Sequence, residues 1–191
     1  MEQRAVMAEA TIDDRVIAAC QRGDREAFRE LFEAYKDKVF SIAVYSLGGD
    51  QAAASDVSQQ IFLKLINSIR QFRGDSAFTT WLYRLVVNAC IDEQRKRGRL
   101  IQLADAPITG QEERRPQERH FARLEVSEQV QNAINELTPK LRMPILLKYG
   151  EGLSYEEIAE VLECSMGTVS SRLNRGHQSL AKKLSHLRAE V

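Results

Sequence analysis

Between Ser165 and Leu184 the sequence reads SMGTVSSRLNRGHQSLAKKL, and its polar residues recur at helical spacing. Thr168, Ser171, Arg172, Arg175 and Gln178 fall on an outer face, while Val169, Leu173, Leu180, Leu184 and Leu187 form the inner one. Those polar types suit nucleic acid. A guanidinium can bridge two acceptors of a guanine, and Ser or Thr hydroxyls can bond base edges or phosphates. A helix starting at Ser165 would also turn free N–H groups toward a phosphate. A second set lies earlier in the chain. Thr80, Arg84, Asn88 and Asp92 recur every four residues, with Arg95, Lys96, Arg97 and Arg99 clustered behind them. Such a stripe suits phosphate and base contact, and a merely solvated helix face would read the same way.

Charge sharpens the first set. The whole chain carries 27 basic and 27 acidic residues, so it has no net attraction for phosphate. The charges are sorted, however. Residues 165–191 hold Arg172, Arg175, Lys182, Lys183 and Arg188 against Glu190, a net of +4. Residues 151–163 hold five glutamates and no basic residue. One face therefore attracts DNA locally, while few phosphates can be neutralised, so duplex binding by this domain alone should be weak.

Catalytic chemistry finds no foothold. His120, His177 and His186 lack metal-ligand spacing, no glycine-rich phosphate loop is present, and no nucleophile stands beside a base. The expectation is a protein that is not an enzyme, with no metal and no cofactor. Cys20, Cys90 and Cys164 are odd in number and lack CxxC spacing, so they read as reduced thiols in a cytoplasmic protein. The polar opening MEQRAVMAEATIDD argues against secretion, and the apolar runs are core-sized rather than membrane-spanning.

The elements that must position these residues all read as helices. Asp13 or Thr11 can cap a first helix ending before Gly23, and Asp24 a second whose apolar positions run from Ala27 to Ala43. LGGD at 47–50 breaks it. A third helix starts near Asp50 with Val57, Ile61, Leu65 and Ile69 on one stripe; a loop over 71–78 precedes a fourth helix from about Thr79 to Arg97. Trp81 lies on the apolar stripe of that helix and is assigned to the core. Residues 100–120 contain Pro107, Gly110 and Pro116 without sustained period and read as a flexible linker. Beyond it, Thr138 caps a helix with Pro139 at its first position, and Pro144 should kink it. Ser154 and Glu157 form a capping box, and Ser165 caps the following helix. Two short helices and a tight turn make a helix-turn-helix. The fold class is all-α: two small helical domains, 1–99 and 121–191, joined by the linker 100–120, with the helix-turn-helix in the second.

DVSQQIFLKL at 56–65, FRGDSAFTTWLYRLVVNACIDEQRKRGR at 72–99 and LSYEEIAEVLECSMGTVSSRLNRGHQSLAKKL at 153–184 together resemble the extracytoplasmic-function sigma factors of bacterial RNA polymerase. The resemblance implies a protein that binds polymerase core and directs it to promoters. It implies core docking through Asp56, Gln59, Gln60 and Phe62, at a coiled coil of the largest subunits. It implies recognition of the −10 element, with capture of a flipped base, by Phe72, Arg73, Asp75, Arg84, Asn88 and Arg95. It implies duplex recognition of the −35 element by Ser165, Thr168, Ser170, Ser171, Arg172 and Arg175. The linker would thread the product-exit channel, and the partners implied by the resemblance would be polymerase core, promoter DNA and an anti-sigma protein. Three positions depart from the family pattern: Gln60 stands where Glu is usual, Ser170 where Lys is frequent, and Ile66 where Trp is common, the last expected to be a packing change. A dimeric repressor would explain the helix-turn-helix but not the first domain, and a pure protein-interaction module would not need Arg172 and Arg175.

Overall fold

A computed structural model of the chain describes residues 12–103 and 129–185, and among them every regular element is helical. Three aspartates start the first three helices. Asp13 accepts from the Arg15 N–H at 2.9 Å to open α1 (Asp14–Arg22), and Asp24 accepts from Glu26 and Ala27 to open α2 (Arg25–Ser46). Asp50 accepts from the Ala53 N–H at 2.9 Å to open α3 (Gln51–Ser68). Between α1 and α2 the chain turns at Gly23, whose φ of 88° lies in the left-handed region that glycine occupies without a Cβ penalty. A 3-10 turn, Ile69–Gln71, and a loop lead into α4 (Phe78–Leu103).

Leu31, Tyr35 and Val39 of α2 meet Val57, Ile61 and Leu65 of α3 and Leu82 and Val86 of α4 in a fully buried core. Two expectations for α4 are corrected. It continues to Leu103 instead of stopping at Arg97. No proline interrupts it before Pro107, and one internal glycine, Gly98, costs only about 1 kcal/mol. Thr80, placed by periodicity on the polar stripe, is 1% exposed and belongs to the interior.

The second domain is described from α5 (129–135) onward. Thr138 and Pro139 start α6 (Pro139–Ile145), although the Thr138 side chain makes no capping bond. Pro144 does not break this helix; α6 passes directly into a π-helical turn, Leu146–Gly150. Proline removes its own N–H and crowds the turn before it, which here is the short start of α6, while the widened turn lies after it. Both halves of the capping box are formed at α7 (Tyr155–Val161): Ser154 Oγ accepts from the Glu157 N–H at 3.1 Å, and Glu157 Oε2 from the Ser154 N–H at 2.7 Å. α8 (Met166–Lys183) then packs Val169 and Leu173 inward. Gly176 lets α6 come close to α8, since a Cβ there would stand 3.1 Å from Ile145 Cγ1.

The domains touch. α7 lies against α4, and Arg142, 8% exposed, reaches from α6 to the end of α2. Its Nη1 donates to the carbonyls of Ser46 at 2.8 Å and Tyr45 at 3.2 Å, and its Nη2 to those of Leu137 and Asn135. Leu187, expected on the inner face of α8, lies outside the described residues, as do the linker residues 104–120.

Candidate nucleic-acid interface

The turn between α7 and α8 is built by Glu163, whose φ of 50° is left-handed, and by the Cys164 N–H, which donates back to Ala159 O at 3.0 Å. Ser165 Oγ then accepts from the Thr168 N–H at 3.2 Å and lies 2.9 Å from Thr168 Oγ1. Both hydroxyls thus serve the first turn of α8 while standing at its open end, beside exposed Met166 and Gly167. Ser170, Ser171, Asn174, Arg175 and Gln178 form the exposed face. Arg172 departs from the outward position expected of it. It is half-buried, and its Nη1 lies 3.9 Å from Cys164 Sγ. Position 172 precedes inward Leu173, so at 100° per residue it sits on the flank of the buried stripe rather than opposite it. Asn174 and Gln178 belong to the exposed face by the same count; Asn174 carries neither a charge nor a hydroxyl, so its type alone gives no signal for DNA.

The second candidate surface begins with a pinned loop. Gln21 of α1 donates through Nε2 to Ile69 O at 3.2 Å and Phe72 O at 2.8 Å. Phe72 packs its ring 5.5 Å from both Phe78 and Trp81, so the half-buried Trp81 belongs to this aromatic cluster, as its stripe predicted. Arg73 and Asp75 project into solvent on either side of Gly74, at φ 78°. Gln21 carried no recognisable signal: a lone glutamine 51 residues from its acceptor has no local pattern. Along α4, Asn88 is exposed and Arg95 keeps 73% of its side chain in solvent, with Asp92 at 3.9 Å. Arg84 is different. Its Nη2 donates to Glu160 O at 3.1 Å and its Nε stands 3.7 Å from Glu163 Oε1, both from the second domain. Arg97 is engaged structurally, 3.0 Å from both Glu93 and Asp50.

A third surface lies on α3. Asp56, Gln59 and Gln60 are exposed, and half-buried Phe62 meets Phe32 of α2 edge-on at 4.8 Å. Ile66 is 51% exposed and Leu63 63%, so the departure at Ile66 is a surface change and not a packing one. Apolar side chains here extend the polar row Asp56, Gln59, Gln60 into a mixed strip of the kind that marks protein contacts.

Two family descriptions match the chain: "Sigma-70 region 2" over residues 31–100 and "Sigma-70, region 4" over 127–180. The RNA polymerase sigma-H factor of Pseudomonas aeruginosa is 35% identical, across 94% of this chain and 97% of the relative. The chain is a sigma factor of the sigma-70 family. Its curated relatives include the ECF RNA polymerase sigma-E factor of Escherichia coli, 35% identical across 95% of this chain and 98% of that one. Among solved structures it is similar to a sigma factor, RpoE of Bartonella quintana, in complex with the anti-sigma factor NepR. The TM-score is 0.70 and the identity 26%, over 83% of this chain and 96% of that one. CnrH in complex with the cytosolic domain of CnrY gives 0.67 and 25%, over 91% and 97%.

As a sigma factor the chain binds RNA polymerase core and directs initiation at particular promoters, and it is not an enzyme. The region 2 match takes in the α3 strip, the pinned loop and nearly all of α4; the region 4 match takes in the helix-turn-helix. Two of the sigma factor's cysteines, Cys20 and Cys90, are buried. Burial pushes the Cys90 thiol up to about 11 and raises that of Cys20, so neither offers a thiolate near neutral pH. Among the described residues no cluster of His, Cys, Asp or Glu could hold a metal, and no helix is long and apolar enough to cross a membrane.

Proposed function

We propose that this sigma factor works in the cytoplasm and divides its task among three surfaces. The α3 strip of Asp56, Gln59, Gln60 and Phe62, widened by Leu63 and Ile66, docks the polymerase core. The pinned loop and α4 take the −10 element as opened strand, through Phe72, Arg73, Asp75, Arg84, Asn88 and Arg95. The α8 face reads the −35 element as duplex through Ser165, Thr168, Ser170, Ser171 and Arg175, joined by Asn174 and flanked by Arg172.

One observation carries the reading: both sigma regions occur in one chain, each with an exposed polar helix face. Asparagine can pair bidentately with adenine and arginine with guanine, so Asn174 and Arg175 together suit base readout. Extruding a base costs a few kcal/mol, which a pocket and phosphate contacts on the single strand can recover. Each domain can be a weak binder because mounting both on polymerase makes the second contact effectively intramolecular. The similar solved structures hold anti-sigma factors, and we extend that partnership to this chain.

The test is run-off transcription with purified bacterial core enzyme over a promoter library. Transcripts from a defined promoter class, absent without the chain, are expected. Failure of the full chain to bind core in a pull-down would sink the reading.

A further inference from the structure

The recognition helix α8 has two flanks as well as an outer face. Residues 168 and 172, four apart, share one flank; residues 170, 174 and 177, four and three apart, share the other. A helix with its side chains is about 10–12 Å across, close to the roughly 12 Å width of the major groove. Each flank of an inserted helix therefore runs beside one phosphate backbone. The first flank carries the Arg172 guanidinium. The second carries Ser170, Asn174 and His177, with no arginine or lysine among them.

Onto that second flank the π-helical turn, Leu146–Gly150, brings Tyr149. Its hydroxyl lies 2.8 Å from His177 Nε2, and the two rings meet edge-on with centroids 5.5 Å apart. Tyr149 is 66% exposed, an unusual place for a large ring unless its free side meets something. The polarity of the pair depends on the imidazole. A phenol has one hydrogen to give. With the imidazole hydrogen on Nδ1, Nε2 takes the phenol hydrogen and only oxygen lone pairs face outward. With it on Nε2, the ring donates to the phenol oxygen and frees the O–H for an outside acceptor. A phosphate oxygen, which accepts and cannot donate, selects the second arrangement.

We propose that Tyr149 and His177 form a phosphate clamp on the cation-free flank of α8. Tyr149 donates to the duplex backbone beside the −35 element, and His177 is the positioning residue that aligns its hydroxyl. This rests on the reading of α8 as the −35 helix. It gives each flank one backbone contact, a guanidinium on one side and a phenol on the other.

The test uses holoenzyme assembled with the full chain, native and as Tyr149→Phe, His177→Leu and His177→Gln. Competition anisotropy follows binding to promoter duplexes in which single phosphates in and beside the −35 element are replaced by methylphosphonate. Native holoenzyme is expected to lose about three- to tenfold in affinity, the usual worth of one hydrogen bond, at one or two adjacent phosphates. Tyr149→Phe and His177→Leu should lose as much on unmodified duplex and be indifferent to those same replacements. His177→Gln, whose amide N–H can still donate to the phenol oxygen, should keep most of the native affinity. Promoter preference should be the same in all, since backbone contacts carry no sequence information. Native affinity in Tyr149→Phe overturns the proposal. So does a weakened Tyr149→Phe that answers every methylphosphonate as the native does, because the hydroxyl would then act on the fold alone. Equal loss in His177→Gln and His177→Leu removes the positioning role and with it the pair. The reading of α8 fails separately, on Arg175→Ala holoenzyme that retains its full base preference at −35.

Discussion

Arg142 concentrates the residue-scale physics of this chain. Burial pulls its guanidinium below the ordinary arginine range, yet carbonyl oxygens of Ser46, Tyr45, Leu137 and Asn135 receive its donors, and no carboxylate is among them. Truncation would strand several buried acceptors at once. Arg142→Ala is therefore expected to destabilise the protein by about 2–4 kcal/mol, given 1–3 for each unsatisfied buried group; urea denaturation followed by circular dichroism measures it. Specificity depends on which arginine faces outward. Arg175→Ala should weaken −35 recognition by about 1–3 kcal/mol and relax base preference. Arg172→Ala should lose less specificity, because Arg172 lies half-buried toward Cys164. Competition transcription on promoters mutated singly at −35 separates the two, and equal loss of base preference would contradict the geometry. Ser171 and Arg175 were legible because periodicity places them outward, whereas Ser170 entered only through the family resemblance. Arg172 was misplaced because the buried stripe is wider than its leucines alone suggest.

At the scale of elements, helix starts were the most legible feature. Asp13, Asp24, Asp50, Ser154 and Ser165 each cap by side chain to backbone N–H, and each carries its signal within three residues. Stops were less so: α4 overran its expected end, and a π turn followed Pro144. Long-range partners decide such features, among them Arg97 reaching back to Asp50. Asp50 joins both kinds of information. The Ala53 N–H chiefly, and then Arg97, hold its carboxyl below the ordinary aspartate range. A carboxyl held lower in the folded state stabilises above the unfolded value, about pH 4, and that stabilisation fades as pH falls through the lowered one. Asp50→Ala should cost about 1 kcal/mol at pH 7, the usual worth of an N-cap. Asp50→Asn, which keeps an acceptor but loses the charge, should cost less. Urea midpoints at pH 7 and pH 3 test this: the gap between native and Asn protein should close at the lower pH.

The whole molecule is neutral and still binds DNA, which its distribution of charge makes possible. In the free chain Arg84 is occupied by the second domain, and the exposed cations of the recognition helix are Arg175, Lys182 and Lys183. Lys183 is itself paired with Glu136. Some two or three phosphates can then be neutralised, and each releases nearly one counterion, so log affinity for duplex should fall against log salt with a slope of about −2 to −3. On the proposed assignment of the −10 element, holoenzyme adds Arg73, Arg84 and Arg95 from the first domain, and its slope should be at least twice as steep. Anisotropy titrations of a labelled promoter duplex across a salt series, with and without core, measure both. A free-chain slope as steep as that of holoenzyme would mean that both domains already grip DNA unaided.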